Sequence, residues 1–462
     1  MKITVHNLGL LKKATFELGD LTIICGLNNT GKTYATYALF GFLENWRRFL
    51  GTDVPAKKIT QLFEDGVTQI DITQYTDTVD DILQKGCQNY TQHLSKIFAS
   101  DSKYFSEAKF ILELDKNVEM ILRPSVERKL RSKKSELLSF SKPKGEAILT
   151  VSLSAENDDI DLPSGMIKDA IADVINEILF DQYFPNPFIA STERTGVAIF
   201  SKELDFARNR LLEEMAQSSK DIDPWQLLFK SYNDYAWPVR TNVDFIRRIT
   251  DITKQESFIS KNHSHILNQF MDIVGGEYIT ENNNSLYFKP SGKRLKLTMG
   301  ESSSAVRSML DIGAYLRHIA QPGDLLMIDE PELNLHPENQ RKIARLFARL
   351  TKLDIRVFIT THSDYILKEF NTLIMLNQDK PYLREISDRA GYNTEEFLET
   401  ERVKVYIAEQ ALIKTSSNNK RRSRHPSLVE AEISQDLGIN ARSFDQTINA
   451  MNEIQEAIVW GG

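Results

Sequence analysis

Three short apolar runs open the chain. Residues 3–5 (ITV) and 14–18 (ATFEL) flank the turn-prone Asn7-Leu8-Gly9 and read as strands, while residues 21–25 (LTIIC) form an uninterrupted apolar run suited to a strand buried on both faces. That third run leads straight into Gly26, and residues 33–49 then place apolar side chains on most faces without a proline, as a largely buried helix does. Between about 50 and 290 the pattern mixes periods. Phe110–Leu114, Val118–Leu122 and Ala147–Leu153 read as strands of an antiparallel sheet, and 165–180, 202–219 and 241–274 read as helices. No heptad persists over many turns, so long coiled-coil arms are not expected. From 295 the chain returns to alternating α/β elements: a turn, a helix over 302–319, the strand LLMID (325–329), a helix over 337–351 and the strand RVFIT (356–360). After 380 a strand is expected at 403–408, then a polar break at 416–426 and two C-terminal helices, with no internal repeat. The expected fold is α/β, with a mixed sheet flanked by helices, a large α+β and helical insertion, and a small C-terminal extension.

Composition narrows this picture only a little. The 462 residues are 41% hydrophobic and 26% charged, ordinary for a globular chain and enough for two or three domains. No apolar run reaches the roughly 18 residues of a membrane span, and the N-terminal stretch lacks the apolar core of a signal peptide, so a cytoplasmic protein without membrane contact is expected. Two cysteines, Cys25 and Cys87, are too few for a disulfide framework and lack metal-ligand spacing, which fits a reducing compartment. A formal net charge of -7 argues against the whole surface coating nucleic acid and leaves room for a local basic patch.

Chemistry concentrates where apolar strands end. Gly26-Leu27-Asn28-Asn29-Thr30-Gly31-Lys32-Thr33 satisfies G-x-x-x-x-G-K-[ST] and lies between a strand and a helix, the context that gives the motif meaning. The glycines let successive N–H groups curl toward phosphate oxygens, the helix N-terminus adds partial positive charge, Lys32 supplies a point charge and Thr33 a hydroxyl for Mg2+. The run 325–330 ends in Asp329-Glu330, where the first carboxylate can hold Mg2+ and the second polarise an attacking water. Pro331 to Pro337 turn the chain into the next helix, and Val357 to Ser363 end a further strand at His362, placed to contact a γ-phosphate and sense its loss.

This order of motifs resembles the ABC-type ATPase heads of the RecF, SMC and OLD proteins, and DEPELNLHP (329–337) looks like their Walker B and D-loop run. The resemblance covers about residues 1–50 and 290–375. It implies a head built from 1–50 and 291–380, an insertion at 51–290 and an extension at 381–462. It implies ATP as substrate, Mg2+ as cofactor, and ATP-sandwiched dimers or larger homo-oligomers. The catalytic residues would be Glu330 and His362, and the metal would sit on Thr33 and Asp329. Nucleotide contacts would come from Gly26, Asn28, Asn29, Thr30, Gly31, Lys32 and Thr33. The signature turn of such heads, commonly Leu-Ser-Gly-Gly-Gln, falls at Leu297-Thr298-Met299-Gly300-Glu301, followed by Ser302 to Ser304 opening a helix. By resemblance Thr298, Gly300, Glu301 and Ser302 would grip a nucleotide held by another subunit; otherwise the turn is a helix cap without a ligand. Met299 and Thr298 depart from the usual glycine and serine. A glutamine-bearing loop that would contact Mg2+ belongs in the insertion, and the sequence does not place it.

Phe188 to Gly196 leaves a strand for a polar turn that resembles the serine-and-arginine turn of compact defence-type ATPases, where Arg194 would face nucleotide or a neighbouring subunit; the alternative is a surface turn with an exposed arginine. Basic runs at Arg128–Lys134 and Lys420–Arg424 could meet a phosphate backbone. The tail from 380 contains no Asp-x-Asp and is short for the Toprim domain of an OLD-type nuclease. The architecture therefore looks like the ATPase subunit of a bacterial anti-phage defence system of the Septu, retron-associated or PARIS type, controlling a separately encoded nuclease or toxin effector. A RecF-like repair ATPase is the alternative reading, an OLD-like nuclease comes after it, and a transporter ATPase is disfavoured by the long insertion.

Overall fold

The structure is a computed structural model that describes residues 1–131, 136–153, 163–200, 235–281, 285–413, 423–440 and 442–460. The chain divides into two compact units, one of residues 1–3, 42–93 and 109–185, the other of residues 4–41, 94–108 and 186–462.

The first unit carries a four-stranded antiparallel sheet in the order Val67–Asp71, Ile148–Leu153, Glu136–Lys142, Val126–Arg131. Its core is aromatic: the Phe42 ring stacks on Phe110 at 5.2 Å and meets Tyr90 and Phe184 edge-on at 5.4 and 5.6 Å. The helix Ser164–Phe180 buries Ile167, Ile171, Val174, Ile175, Ile178 and Leu179 at helical spacing, as its pattern predicts. Val118–Leu122 corrects the strand expected there. It is a short helix, because the Asn117 side chain accepts the Met120 N–H at 3.2 Å and starts the turn.

β1 (Lys2–Leu8), most of which belongs to the second unit, and β2 (Leu11–Glu17) form a hairpin, and β3 (Leu21–Gly26) leads through the glycine-rich loop into α1 (Lys32–Phe49), whose residues 32–41 belong to the same unit. There follow β4 (Asn186–Ala190), α2 (Ser304–Ala314), β5 (Asp324–Asp329), α3 (Pro337–Lys352), β6 (Arg356–Thr361), α4 (Asp364–Met375), β7 (Val403–Ile413) and β8 (Ser423–Glu430). One six-stranded sheet runs in the order β8, β7, β3, β6, β5, β4. Every neighbour pair is parallel except β7 with β8, which makes the sheet mixed. β3 and β5 are buried at all six positions, the reason their sequences are unbroken apolar runs. Register brings Gly26, Ala190, Asp329 and Thr361 to one edge of the sheet.

The sheet corrects the expected division of the chain. β4 lies within the expected insertion and β7 and β8 within the expected extension, yet all three are strands of the sheet that carries the phosphate loop. Pairing between strands far apart in sequence leaves no local mark. The long helical stretch at 241–274 is broken into Trp237–Arg247, Ile249–Ile252, Phe258–Asn262 and Ser264–Val274, with Ser257 capping the third by accepting the Ser260 N–H. The predicted 302–319 helix is α2 continued by a π-helical turn over Tyr315–Ile319. After 423 the chain forms β8, short strands at Ile433–Ser434 and Gly438–Ile439, and a single helix Arg442–Trp460 rather than two helices. The expected helix at 202–219, residues 132–134 of the first basic run and 420–422 of the second lie outside the described residues. Among the described residues no helix is long and apolar enough to cross a membrane.

Candidate nucleotide-binding site

β3 delivers Gly26 at φ +136°, and a Cβ there would sit 2.7 Å from the Ala408 carbonyl oxygen, so strand pairing with β7 and backbone conformation both demand glycine. Gly31, at φ +95°, would meet the Leu11 side chain at 2.7 Å. Asn29 turns the loop at φ +59°. Leu27, Asn28 and Asn29 are exposed, whereas Lys32 is 6% exposed and lies across the loop, its Nζ donating to the carbonyls of Gly26 at 3.1 Å and Leu27 at 2.8 Å. Burial lowers the Lys32 pKa, and the negative charge of Glu330 and then Asp329 opposes that shift. A cation held by neutral carbonyls beside two carboxylates is poised to exchange those carbonyls for phosphate oxygens.

β5 ends in the two carboxylates. Asp329 is 1% exposed; its Oδ1 accepts the Thr360 hydroxyl and its Oδ2 the Thr33 hydroxyl at 3.3 Å. Burial pushes the Asp329 carboxyl up to about 6, against the lowering effect of the Thr360 bond. The hydroxyl of Thr33 facing a buried carboxylate oxygen is a hard-oxygen pair of the kind Mg2+ takes alongside phosphate and water. Among the described residues no group of three or more His, Cys, Asp or Glu side chains could hold a metal ion. The Thr33 hydroxyl and the Asp329 carboxylate, 3.3 Å apart, fit a hard cation that takes its other ligands from phosphate and water.

Glu330 stands at φ +54°, a left-handed conformation costly for any residue but glycine. Its Oε1 lies 3.0 Å from His362 Nε2, and this hydrogen bond holds the carboxyl below its usual value. The other ring nitrogen, Nδ1, is 3.5 Å from Lys32 Nζ. His362 thus bridges the loop lysine and the acid. Its backbone N–H donates to Glu332 Oε1 at 2.6 Å, and the Thr361 hydroxyl donates to the same oxygen at 2.9 Å. Glu332 fixes the end of β6, a role not visible in its sequence position.

The side chains of the 298–302 turn bond to the turn itself. The Thr298 N–H and hydroxyl both donate to Glu301 Oε2 at 2.9 Å, the Ser302 hydroxyl donates to the Thr298 carbonyl at 2.8 Å, and Ser303 caps α2 by accepting the Val306 N–H. Gly300 is exposed. Thr298 also pairs with Tyr287, and the Ser302 carbonyl accepts Arg307 Nη1. Among the described residues none of these bonds joins 298–302 to the residues of 26–33, 329–330 and 362, which the structure brings together. The turn's own Glu301 takes the donors that an external anion would use.

Arg194 overturns the surface-turn reading. It is 1% exposed and donates to main-chain carbonyls of Ser191, Ser308, Asp329 and Glu330. Beside it, Glu193 Oε2 accepts the Tyr37 hydroxyl at 3.1 Å, and its charge adds to the upward shift at Asp329. Sequence reasoning missed Glu193. The available signal was that FIA at 188–190 runs into charged residues as LLMI does at 325–328.

A family model described as AAA ATPase domain matches residues 1–367. No curated protein matches the chain. Solved structures similar to it include the SMC head domain from Thermotoga maritima, at 12% identity and TM-score 0.30 over 94% of this chain and 98% of that one. Another is an SmcHead bound to the C-winged helix domain of ScpA, at 12% identity and TM-score 0.34 over 93% and 97%. A third is an Smc head domain with an extended coiled coil bound to the C-terminal domain of ScpA derived from Pyrococcus furiosus, at 14% identity and TM-score 0.30 over 98% of each chain. At those TM-scores the likenesses decide nothing about this chain.

Proposed function

The chain belongs to the AAA ATPase domain family and hydrolyses ATP, and on that premise we propose that the residues just described form one half of a composite ATP site in a regulatory ATPase. The observation that carries this reading is the position of His362 between Lys32 Nζ and the Glu330 carboxylate. Gly26 to Thr33 cradle the phosphates, Lys32 leaves the loop carbonyls for phosphate oxygens, and Glu330 accepts a proton from the water that attacks the γ-phosphorus as the bond to ADP breaks. Mg2+, held by Thr33 and by Asp329 directly or through water, would offset charge on the phosphates. His362 orients Glu330 and reports whether the γ-phosphate is present. Thr298, Gly300 and Ser302 close over the nucleotide from a second copy once Glu301 releases the Thr298 donors.

The biological setting we propose is anti-phage defence, in which this ATPase restrains a separately encoded nuclease or toxin until a signal arrives. A surface suited to a protein partner supports it. In the helix Arg442–Trp460 the side chains of Met451, Ile454, Ile458, Val459 and Trp460 are between 56% and 83% exposed, and the acids Glu453 and Glu456 accompany them. That charge pattern favours an apolar groove with a basic rim on the effector. Removing residues 442–462 is expected to leave ATP turnover unchanged and to abolish co-purification with a co-expressed effector encoded beside this protein. Retention of the effector by the shortened chain would contradict the assignment.

The repair reading is not favoured. In the first basic run Arg128 is paired with Glu177 at 3.0 Å and Lys129 with Glu136 at 2.9 Å, which leaves that surface less charge for a phosphate backbone.

A further inference from the structure

A buried arginine normally answers a buried carboxylate, and Arg194 does not. Asp311, on α2, is 1% exposed, and among the described residues neither of its carboxylate oxygens has a hydrogen-bond partner. Arg194 lies close enough to pull the Asp311 carboxyl down against the larger upward effect of burial. Its donors nevertheless all go elsewhere. Nε reaches the Ser308 carbonyl at 2.8 Å, Nη1 reaches the carbonyls of Ser191 at 2.8 Å and Asp329 at 2.6 Å, and Nη2 reaches the carbonyl of Glu330 at 2.7 Å. One planar guanidinium therefore joins the end of β4, the middle of α2 and the last two carbonyls at the end of β5.

The two β5 contacts bear on catalysis because of what they hold. Glu330 occupies a left-handed backbone conformation, φ +54°, that is unfavourable for a residue with a Cβ. Such a conformation persists only where its surroundings fix it. The Glu330 N–H donates to the Thr360 carbonyl at 3.1 Å, which fixes one side of the residue, and Arg194 Nη2 fixes the carbonyl on the other. Between these contacts the carboxylate is aimed at His362.

We infer that Arg194 is a positioning residue for ATP hydrolysis: by gripping the carbonyls of Asp329 and Glu330 it sets the direction of the Glu330 carboxylate, and through Ser308 it ties that direction to the helix that begins at the 298–302 turn. Movement of that turn onto a nucleotide is transmitted along α2 to the Ser308 carbonyl, and from there through one side chain to Glu330. The inference rests on the reading of Glu330 as the group that polarises water. Arg194 acts through the backbone carbonyls of Asp329 and Glu330.

Arg194→Lys is the discriminating variant. It keeps a cation for Asp311 but cannot present a rigid fork to four carbonyls. Turnover is referred to the number of nucleotide-binding sites counted with a fluorescent ATP analogue, so a partly folded preparation still gives a reading. The expected result is a KM for ATP within about threefold of wild type and a kcat lower by at least about tenfold, as for a misaimed catalytic group. Adding Arg194→Lys to Glu330→Gln is expected to slow turnover no further, because the group being aimed is already gone. Wild-type kcat per site in Arg194→Lys, or a double variant slower than Glu330→Gln by the full factor of the single change, overturns the inference. An undiminished kcat in Glu330→Gln alone would instead remove the underlying reading of the site.

Discussion

Replacing Glu330 with glutamine is expected to lower ATP turnover by about two to three orders of magnitude while the protein still binds ATP. General-base assistance is worth roughly 10²- to 10⁴-fold, and glutamine keeps the shape of the side chain and a carbonyl oxygen for His362 while losing the negative charge that takes up the proton. Binding should survive because the proposed phosphate contacts come from the 26–33 loop, on the other side of His362. Steady-state phosphate release together with equilibrium titration of a fluorescent ATP analogue separates the two effects. Turnover equal to wild type would remove Glu330 from the chemistry. The same substitution also removes the charge that most opposes the burial-driven lowering of the Lys32 pKa.

Lys32→Ala should act on the opposite quantity. Lys32 is the cation in the loop, and its ammonium already reaches two carbonyls at the place where phosphate oxygens would arrive. Truncation removes a buried charge partner for the nucleotide, a change worth about 2–5 kcal/mol, so ATP affinity is expected to fall at least about thirtyfold. The fold should persist, since the strand pairing of β3 with β6 and β7 does not involve this side chain. A melting temperature near wild type together with ATP affinity lowered by at least that factor is the expected pair of results. Undiminished affinity would mean that the phosphates bind elsewhere.

Much of the site could be read from the chain because its parts are local. The octapeptide at 26–33 carries its own conformational logic, and the strands that deliver Gly26, Asp329 and His362 are apolar runs because both faces of a central parallel strand are covered. Arg194 could not be read the same way. Its partners are main-chain carbonyls, available at any residue, and the most distant lies 136 positions along the chain. Glu332 is equally silent in sequence, since its work is done on the backbone of His362 across two strands. β4 and β7 were recognisable as strands, but their membership of the central sheet depends on non-local pairing. Val118–Leu122 has an apolar run that suits either strand or helix, and Asn117 at its start decides the outcome. Ser303 caps the helix that follows the 298–302 turn, while the engagement of the Thr298 donors by Glu301 depends on a side-chain rotamer that no spacing reveals.

The claim at the centre of this account is that one chain supplies half of an ATP site and a second copy supplies the rest. Light scattering of the Glu330→Gln protein, with ATP and Mg2+ and then with ADP, measures it directly. A mass that doubles, or rises to a higher multiple, with ATP and returns with ADP is the predicted result. A mass that stays the same in both nucleotides, with ATP shown to be bound, would contradict it.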